Sequence, residues 1–218
     1  MAEVKEKDCK SAWRSTLRLI LDEGRDFYDG NRDFRQILNL NIEIENPHDD
    51  ILYPSKKLRE CDKWIYPDTN EMRNIILAKE MNPSYSFTYG QRIFQFNGQV
   101  NQIDDYIVPQ LRADQNTRTA VITLWNPLVD SKVAKKPKPG LVMCTLKIVE
   151  EDLIITSIVR NNDIFIGWPA TLYQISEMQE YVSEKINANK GKLVFYSTTA
   201  HVYKENFVDI KELLDINP

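Results

Sequence analysis

Residues 158–170 read IVRNNDIFIGWPA. An apolar run ending at Val159 gives way, through a short polar turn, to a segment with helical spacing that begins at Pro169, so a strand hands over to a helix here. The turn carries Arg160 and Asp163, and Gly167 stands just ahead of the helix. A guanidinium at a strand exit can hold a phosphate through two parallel N–H donors, and a carboxylate beside it can accept from the N–H donors of a heterocycle. Arg and Asp in one turn also commonly pair with each other. The stretch alone therefore fixes a strand–turn–helix unit and leaves its chemistry open.

Working outward, residues 141–148 and 152–159 are two apolar runs that meet at Glu150-Glu151, the pattern of a hairpin. Beyond the turn, residues 169–186 have helical spacing, residues 192–196 (KLVFY) read as a strand, and residues 208–214 as a short terminal helix. Toward the N-terminus, residues 11–24 (SAWRSTLRLILDEG) place Ala12, Trp13, Leu17, Ile20 and Leu21 on one helical face and end at a glycine suited to a C-cap. Residues 37–44 (ILNLNIEI) alternate with period two until Asn46-Pro47 stops them, which predicts a half-buried strand and the start of a sheet. Residues 99–112 read as a helix that Pro109 should kink or end, and residues 118–125 (RTAVITLW) as a β-branched strand. The sum is an α+β fold, a substantial mixed β-sheet with a few long helices.

Composition narrows the function classes. With 218 residues, 42% of them hydrophobic, the chain can bury a full core and is expected to be one domain over residues 1–218; the KKPKP stretch at 135–139 is too short to separate two. Basic and acidic residues number 28 and 32, giving a net charge of −4 with no basic run, so nucleic acid is not an expected partner. The opening MAEVKEKDCK is charged where a signal peptide needs an apolar segment, and no stretch is long and apolar enough for a span, so a soluble cytoplasmic protein without a membrane partner is expected. Cys9, Cys61 and Cys144 lack paired spacing and have only His48 and His201 for company, so they read as reduced thiols, with neither a metal site nor a disulfide framework.

A second polar element is TTAHVYKEN at 198–206, where His201 and Tyr203 share a face of an extended segment and could both reach a ribose hydroxyl. Taken with Arg160-Asn161-Asn162-Asp163 and Gly167-Trp168-Pro169, this element makes the chain resemble the thymidylate synthase and pyrimidine hydroxymethylase family, whose members carry Arg-Ser-x-Asp, then Gly-x-Pro, then His-x-Tyr. The likeness extends backwards through Arg118 and Trp125-Asn126 in NTRTAVITLWNP, Tyr89-Gly90 in YSFTYGQRIF, and Arg35 in DFRQILNLNIEIENP. It covers nearly the whole chain and is most specific from residue 118 to residue 206, with a length most similar to the compact archaeal or viral members.

The resemblance implies a homodimer packed sheet to sheet that binds a pyrimidine nucleoside 5′-monophosphate and transfers a one-carbon unit from a reduced folate or related pterin to C5 of the base. It assigns the 5′-phosphate to Arg160 and Arg35, the partner's phosphate to Arg118, and the sugar to His201 and Tyr203. Asn161 and Thr171 join the sugar and base contacts, Asp163 would stand between base and pterin, and Tyr89 would belong to the network that moves the C5 proton.

Two departures change the expected chemistry. The family's nucleophilic cysteine, usually in a Pro-Cys pair, adds to C6 of the pyrimidine; here the matching pair is Pro139-Gly140. Cys144 comes four residues later, about 13 Å along an extended strand, on the same face as Gly140 but too far for the same attack. It therefore reads as a core residue. The family's base-reading Asn or Asp is Thr171, whose hydroxyl cannot make the paired contact of an amide, and the second of two paired arginines is Thr119. Glu60 is the nearest candidate for the family's general-base glutamate and reads equally as a solvated helix residue.

Three functions follow from this pattern. One is a conventional folate-dependent dUMP or dCMP methyl- or hydroxymethyltransferase that uses another nucleophile. Another is an enzyme that keeps the nucleotide cradle and runs altered chemistry, at the glycosidic bond or on another base. The third is a non-catalytic nucleotide-binding dimer. Retention of Asp163, Tyr89, His201 and Tyr203 favours an enzyme, and the losses at 140 and 171 favour altered chemistry over covalent C5 transfer. Whether the terminal LLDINP could close over a cofactor stays open.

Overall fold

The computed structural model describes residues 2–61, 63, 65–80, 82–133 and 137–216. The first two residues of the KKPKP stretch and the last two of LLDINP lie outside that set. The quoted strand–turn–helix forms a parallel crossover: strand β6 (Asp152–Val159), a two-residue strand β7 (Asn162–Asp163), helix α7 (Gly167–Ile186) and strand β8 (Asn189–Tyr203), with β8 parallel to both β6 and β7. Parallel neighbours need such a connection, and α7 supplies it while burying Trp168, Leu172, Ile175, Met178 and Val182 against the sheet.

The remaining strands build outward from this unit. Strand β5 (Leu141–Val149) pairs with β6 as the expected hairpin, turning at Glu150 and Glu151 with φ of 51° and 75°, the positive values that a two-residue turn requires. On the other side, β3 (Asp33–Ile44) runs antiparallel to β8, and β1 (Ala2–Glu6) and β2 (Arg25–Tyr28) pair with successive parts of β3. With a short strand β4 (Val121–Thr123) beside β5, the order is β1-β3-β8-β6-β5-β4, an eight-stranded mixed sheet among the described residues.

Several expectations are corrected. The sheet does not begin at residue 37: β3 starts at Asp33, and the charged N-terminal segment, for which no element was foreseen, is the edge strand β1. The strand foreseen at 192–196 extends to Tyr203 because its second half pairs with β3 and β7 as well, so His201 and Tyr203 lie within the sheet. The strand foreseen at 118–125 contracts to β4 (Val121–Thr123). Among the described residues β4 is the outermost strand beside β5, and the Gln102 side-chain amide bonds both the N–H and the carbonyl of Thr123, at 2.8 and 2.9 Å, closing the free edge.

The helices follow their apolar spacing. Helix α1 (Cys9–Glu23) buries Ala12, Trp13, Leu17 and Ile20, and its start is satisfied by Asp8, which accepts from the Ser11 N–H, and by Asp50, which accepts from the Cys9 and Lys10 N–H groups. At its end Gly24 is required by crowding, since a Cβ there would lie 2.3 Å from the Ile20 carbonyl. Pro109 does not end its helix. The turn before it, Ile103–Ile107, is widened to π geometry and leads directly into α5 (Val108–Ala113), which absorbs a residue that has no N–H to donate. The compact helices α2 (Tyr53–Arg59), α3 (Thr69–Leu77), α4 (Tyr89–Phe94), α6 (Pro127–Asp130) and α8 (Phe207–Leu213) complete the order.

Helices α1 and α7 cover one face of the sheet, where Leu40, Ile42, Leu153, Ile155, Leu193 and Phe195 are buried. The other face presents Met143, Thr145, Thr156, Ile158, Val194 and Tyr196, all half-buried, aligned across strands as Thr145–Thr156–Val194 and Met143–Ile158–Tyr196. No helix among the described residues packs broadly across it.

Candidate active site

Arg160 and Gly140 are brought together at the C-terminal end of β6. The Arg160 N–H bonds the Gly140 carbonyl at 2.9 Å, its Nε the Pro139 carbonyl at 2.9 Å, and its Nη2 the Lys138 carbonyl at 3.2 Å. The guanidinium lies 5.6 Å from the centre of the Trp125 ring, while the Arg160 carbonyl accepts from the Thr198 hydroxyl at 2.7 Å. One edge of the guanidinium is thus fixed by two carbonyls, and Nη1 has no partner among the described residues. Arg160 and Asp163 do not pair with each other, so that reading of the turn is set aside.

Tyr89 opens α4 behind the cap supplied by Thr88, and its hydroxyl accepts from the Leu141 N–H at 3.3 Å. Burial pushes its phenol above the ordinary range, with the Leu141 and Gly140 amides pulling the other way. A Cβ built on Gly140 would stand 3.1 Å from the Asn161 carbonyl and 4.0 Å from the Tyr89 hydroxyl. Asn161 itself is exposed, and its neighbour Asn162 is buried and bonded to the Ser197 hydroxyl at 3.0 Å.

Cys144 is fully buried, 3.6 Å from the Ser157 hydroxyl, with burial pushing its thiol up to about 12. The expectation that it shares a face with Gly140 fails. A bulge between Leu141 and Met143 breaks the alternation, so Leu141 and Cys144 both point into the core.

Asp163 and His201 are register partners in the β7–β8 ladder. Asp163 Oδ1 accepts from the Phe165 and Ile166 N–H groups at 3.1 and 3.2 Å, shaping the turn into α7. The rest of that turn is anchored by Trp13, which donates to the Ile164 carbonyl, and Tyr66, which donates to that of Ile166. His201 is 3% exposed, its ring 5.0 Å from that of Tyr203 and 5.4 Å from that of Phe34, and its Nδ1 has no partner among the described residues. Thr171, in the first turn of α7, donates back to the Gly167 carbonyl at 3.3 Å.

Three assigned residues lie elsewhere. Arg35 is paired with Asp26 at 2.7 Å, bonded to the Leu21 carbonyl at 2.6 Å and set near the Phe207 ring. It is opposite Val202 in the ladder, one residue out of phase with the Phe34–Tyr203 pair, and so faces away from His201 and Tyr203. Arg118 is exposed on the loop before β4 without a partner among the described residues, and Thr119 bonds Gln110 beside it. Glu60 is exposed and paired with Lys57, matching its solvated reading.

The residue missed from the sequence is Arg32. It follows the Asp29-Gly30-Asn31 turn, whose Asp29 carboxylate holds the Asn31 and Arg32 N–H groups, and its guanidinium lies 3.2 Å from the centre of the Tyr203 ring while pairing with Glu205. The Asp-Gly-Asn spelling of a tight turn was the available signal.

The electrostatics of the pair make a pH test. Burial, the largest influence, pushes the Asp163 carboxyl up to about 6 and His201 down to about 4; Arg32 favours the ionised Asp163 and disfavours the ionised His201. The raised carboxyl contributes stability that is fully present below its ordinary value of 3.8 and lost as pH rises through 6. The depressed imidazole contributes stability that is fully present above 6.5 and lost as pH falls through 4. The two oppose each other over one interval. Urea unfolding of Asp163→Asn is expected to show stability falling by roughly 2 kcal/mol between about pH 6.5 and 4.5, and that of His201→Gln the opposite slope. Parallel slopes in the two variants would contradict this electrostatic account.

The model of the family described as thymidylate synthase matches residues 11–218. The chain is 28% identical over 212 residues to a protein of Methanosarcina mazei named "Putative thymidylate synthase", an alignment covering 97% of this chain and 94% of that one. It is 27% identical to a protein of the same name from Methanococcoides burtonii, with the same coverage. A thymidylate synthase of Aster yellows witches'-broom phytoplasma is 21% identical over 209 residues, 94% of this chain and 69% of the other. An α+β chain with a mixed sheet agrees with these matches. This chain belongs to the thymidylate synthase family.

Proposed function

We propose that this chain binds a nucleoside 5′-monophosphate through Arg160, Asp163 and His201 with Tyr89 close by, and that its chemistry differs from covalent C5 methyl or hydroxymethyl transfer. The observation that carries this reading is Gly140: the position facing the Tyr89 hydroxyl holds no side chain, and the nearest thiol in sequence, Cys144, is sealed in the core. Cys9 is equally buried, and Cys61 stands by a separate cavity with Trp13 and Leu213.

Residues keep distinct tasks in this reading. Arg160, with one edge fixed by carbonyls and Nη1 open, takes the phosphate, and Arg32, on the face of Tyr203, joins it in place of Arg35. His201 Nδ1 and Tyr203 take sugar hydroxyls; the unpartnered buried nitrogen supports this, because such a group is costly unless a ligand completes it. The carboxyl of Asp163 has one oxygen engaged by amides and the other without a partner among the described residues, which suits the ring N–H donors of a reduced folate; when bound, that group would supply a one-carbon unit. Among the described residues no cluster of His, Cys, Asp or Glu is arranged to hold a metal. The open sheet face with Met143, Ile158, Val194 and Tyr196 supports a homodimer, with the exposed Arg118 reaching the partner's phosphate.

The experiment is calorimetric titration with ribo- and deoxyribonucleoside monophosphates, with and without reduced folate, alongside mass spectrometry after incubation with 5-fluoro-dUMP and folate. Binding of a monophosphate and an unchanged protein mass are expected. A cysteine-linked adduct would restore the conventional transferase reading, and absence of binding to any monophosphate would overturn the nucleotide reading.

A further inference from the structure

We propose that a cavity beside the end of α4 binds an uncharged heteroaromatic ring with the edge chemistry of a nucleobase. The cavity has a volume of about 300 Å³ and lies between α4, the Asn97-Gly98 turn and the start of α6. None of the residues assigned to the nucleotide lines it, so it can be filled or altered without touching that site. Its volume is at the small end for ligand cavities, which suits one ring system with at most a sugar attached rather than a peptide or a lipid chain.

The lining selects the chemistry. Arg92 is the one ionised side chain on the wall among the described residues, and the two oxygens of Asp130 match its charge, so an ionised ligand would find no counter-charge there. The other polar groups are mostly amides. Asn126, 8% exposed, donates one Nδ2–H to Asn97 Oδ1 and accepts the Leu128 N–H, which leaves its second N–H open. The side-chain amides of Gln91 and Gln95 and the Asn97 NH2 have no partner among the described residues. A primary amide presents a donor and an acceptor side by side, the pattern that pairs with an adjacent acceptor and donor on the edge of a heterocycle. Phe87 and Phe96, both half-buried, supply an aromatic wall, and Phe87 carries the Arg92 guanidinium 4.8 Å from its ring centre. An aromatic wall with open amides and no free charge favours a flat, neutral ring with a polar edge over a phosphate, an amine or an aliphatic chain.

The test is saturation-transfer NMR with calorimetry on the full chain, using adenine, hypoxanthine, cytosine and uracil and the nucleoside of each. At least one is expected to bind with a Kd at or below about 1 mM. Tighter binding of a base than of its nucleoside would support the site with the free base as ligand, and the reverse would support it with the nucleoside as ligand. Val129→Trp, at an exposed position on the wall, fills the cavity and is expected to abolish this binding. Asn97→Gly keeps the positive-φ turn, where φ is 53°, and removes the amide. It should weaken binding about three- to tenfold, the size of one neutral hydrogen bond, and serves should the tryptophan variant not fold. Binding that survives in Val129→Trp and is lost in Arg160→Ala would place the ring in the nucleotide site and overturn the inference. So would the failure of all these compounds to bind the cooperatively folded protein.

Discussion

Arg160→Ala is expected to weaken nucleoside monophosphate binding by about 2 kcal/mol or more, roughly thirtyfold, the order of a lost charge-assisted hydrogen bond. The effect has two sources. The open Nη1 edge would be removed from the phosphate, and the carbonyls of Lys138 and Pro139 would lose the donors that fix the loop carrying Gly140. Arg160→Lys separates them: an ammonium keeps the charge but cannot bracket two carbonyls while presenting a second edge, so it should recover only part of the affinity. Unchanged affinity in the alanine variant, measured by calorimetry at fixed salt, would place the phosphate elsewhere.

Asp130→Ala is expected to destabilise the fold by about 3 kcal/mol, because it leaves a buried guanidinium without its counter-charge. Arg92 binds both oxygens of Asp130, and the side chains are only 12% and 4% exposed. The carboxylate also accepts the Asn126 N–H at 2.8 Å, and Arg92 holds the Leu124 carbonyl at 2.7 Å. Together they tie α4, which carries Tyr89, to the segment that follows β4. The Arg92 guanidinium, the largest influence, holds the Asp130 carboxyl below its ordinary range. Replacing both partners by apolar residues, as in Arg92→Met with Asp130→Leu, should recover much of the loss, since no charge is then stranded. A urea midpoint in Asp130→Ala that moves by less than the equivalent of about 1 kcal/mol would show that water reaches the guanidinium.

The hairpin at Glu150-Glu151, the helices of residues 11–24 and 169–186, and the handover from strand to helix at residues 158–170 follow from local spacing alone. Each is amphipathic with its own period and buries the face that spacing marks. Cys144 was read as core because it lies too far along the strand from Gly140 for the same attack, and the structure buries it fully.

What pairs with what was beyond local pattern. The charged AEVKE segment carries no apolar period and becomes strand β1 only because β3 offers it a free edge. The length of β4 was decided by a side chain about twenty residues away, Gln102, which occupies the edge a longer strand would have used. The same holds for the arginines. Arg35 and Arg32 are three residues apart and equally basic, yet the ladder phase turns Arg35 toward Asp26 while the tight turn at Asp29-Gly30 sets Arg32 over Tyr203. Composition and periodicity fix which residues seek the interior, because burial depends on each side chain's own chemistry. The direction a surface arginine points, and whether a bulge reverses a strand's parity at Gly140, depend on neighbours distant in the chain, and only the assembled sheet supplies them.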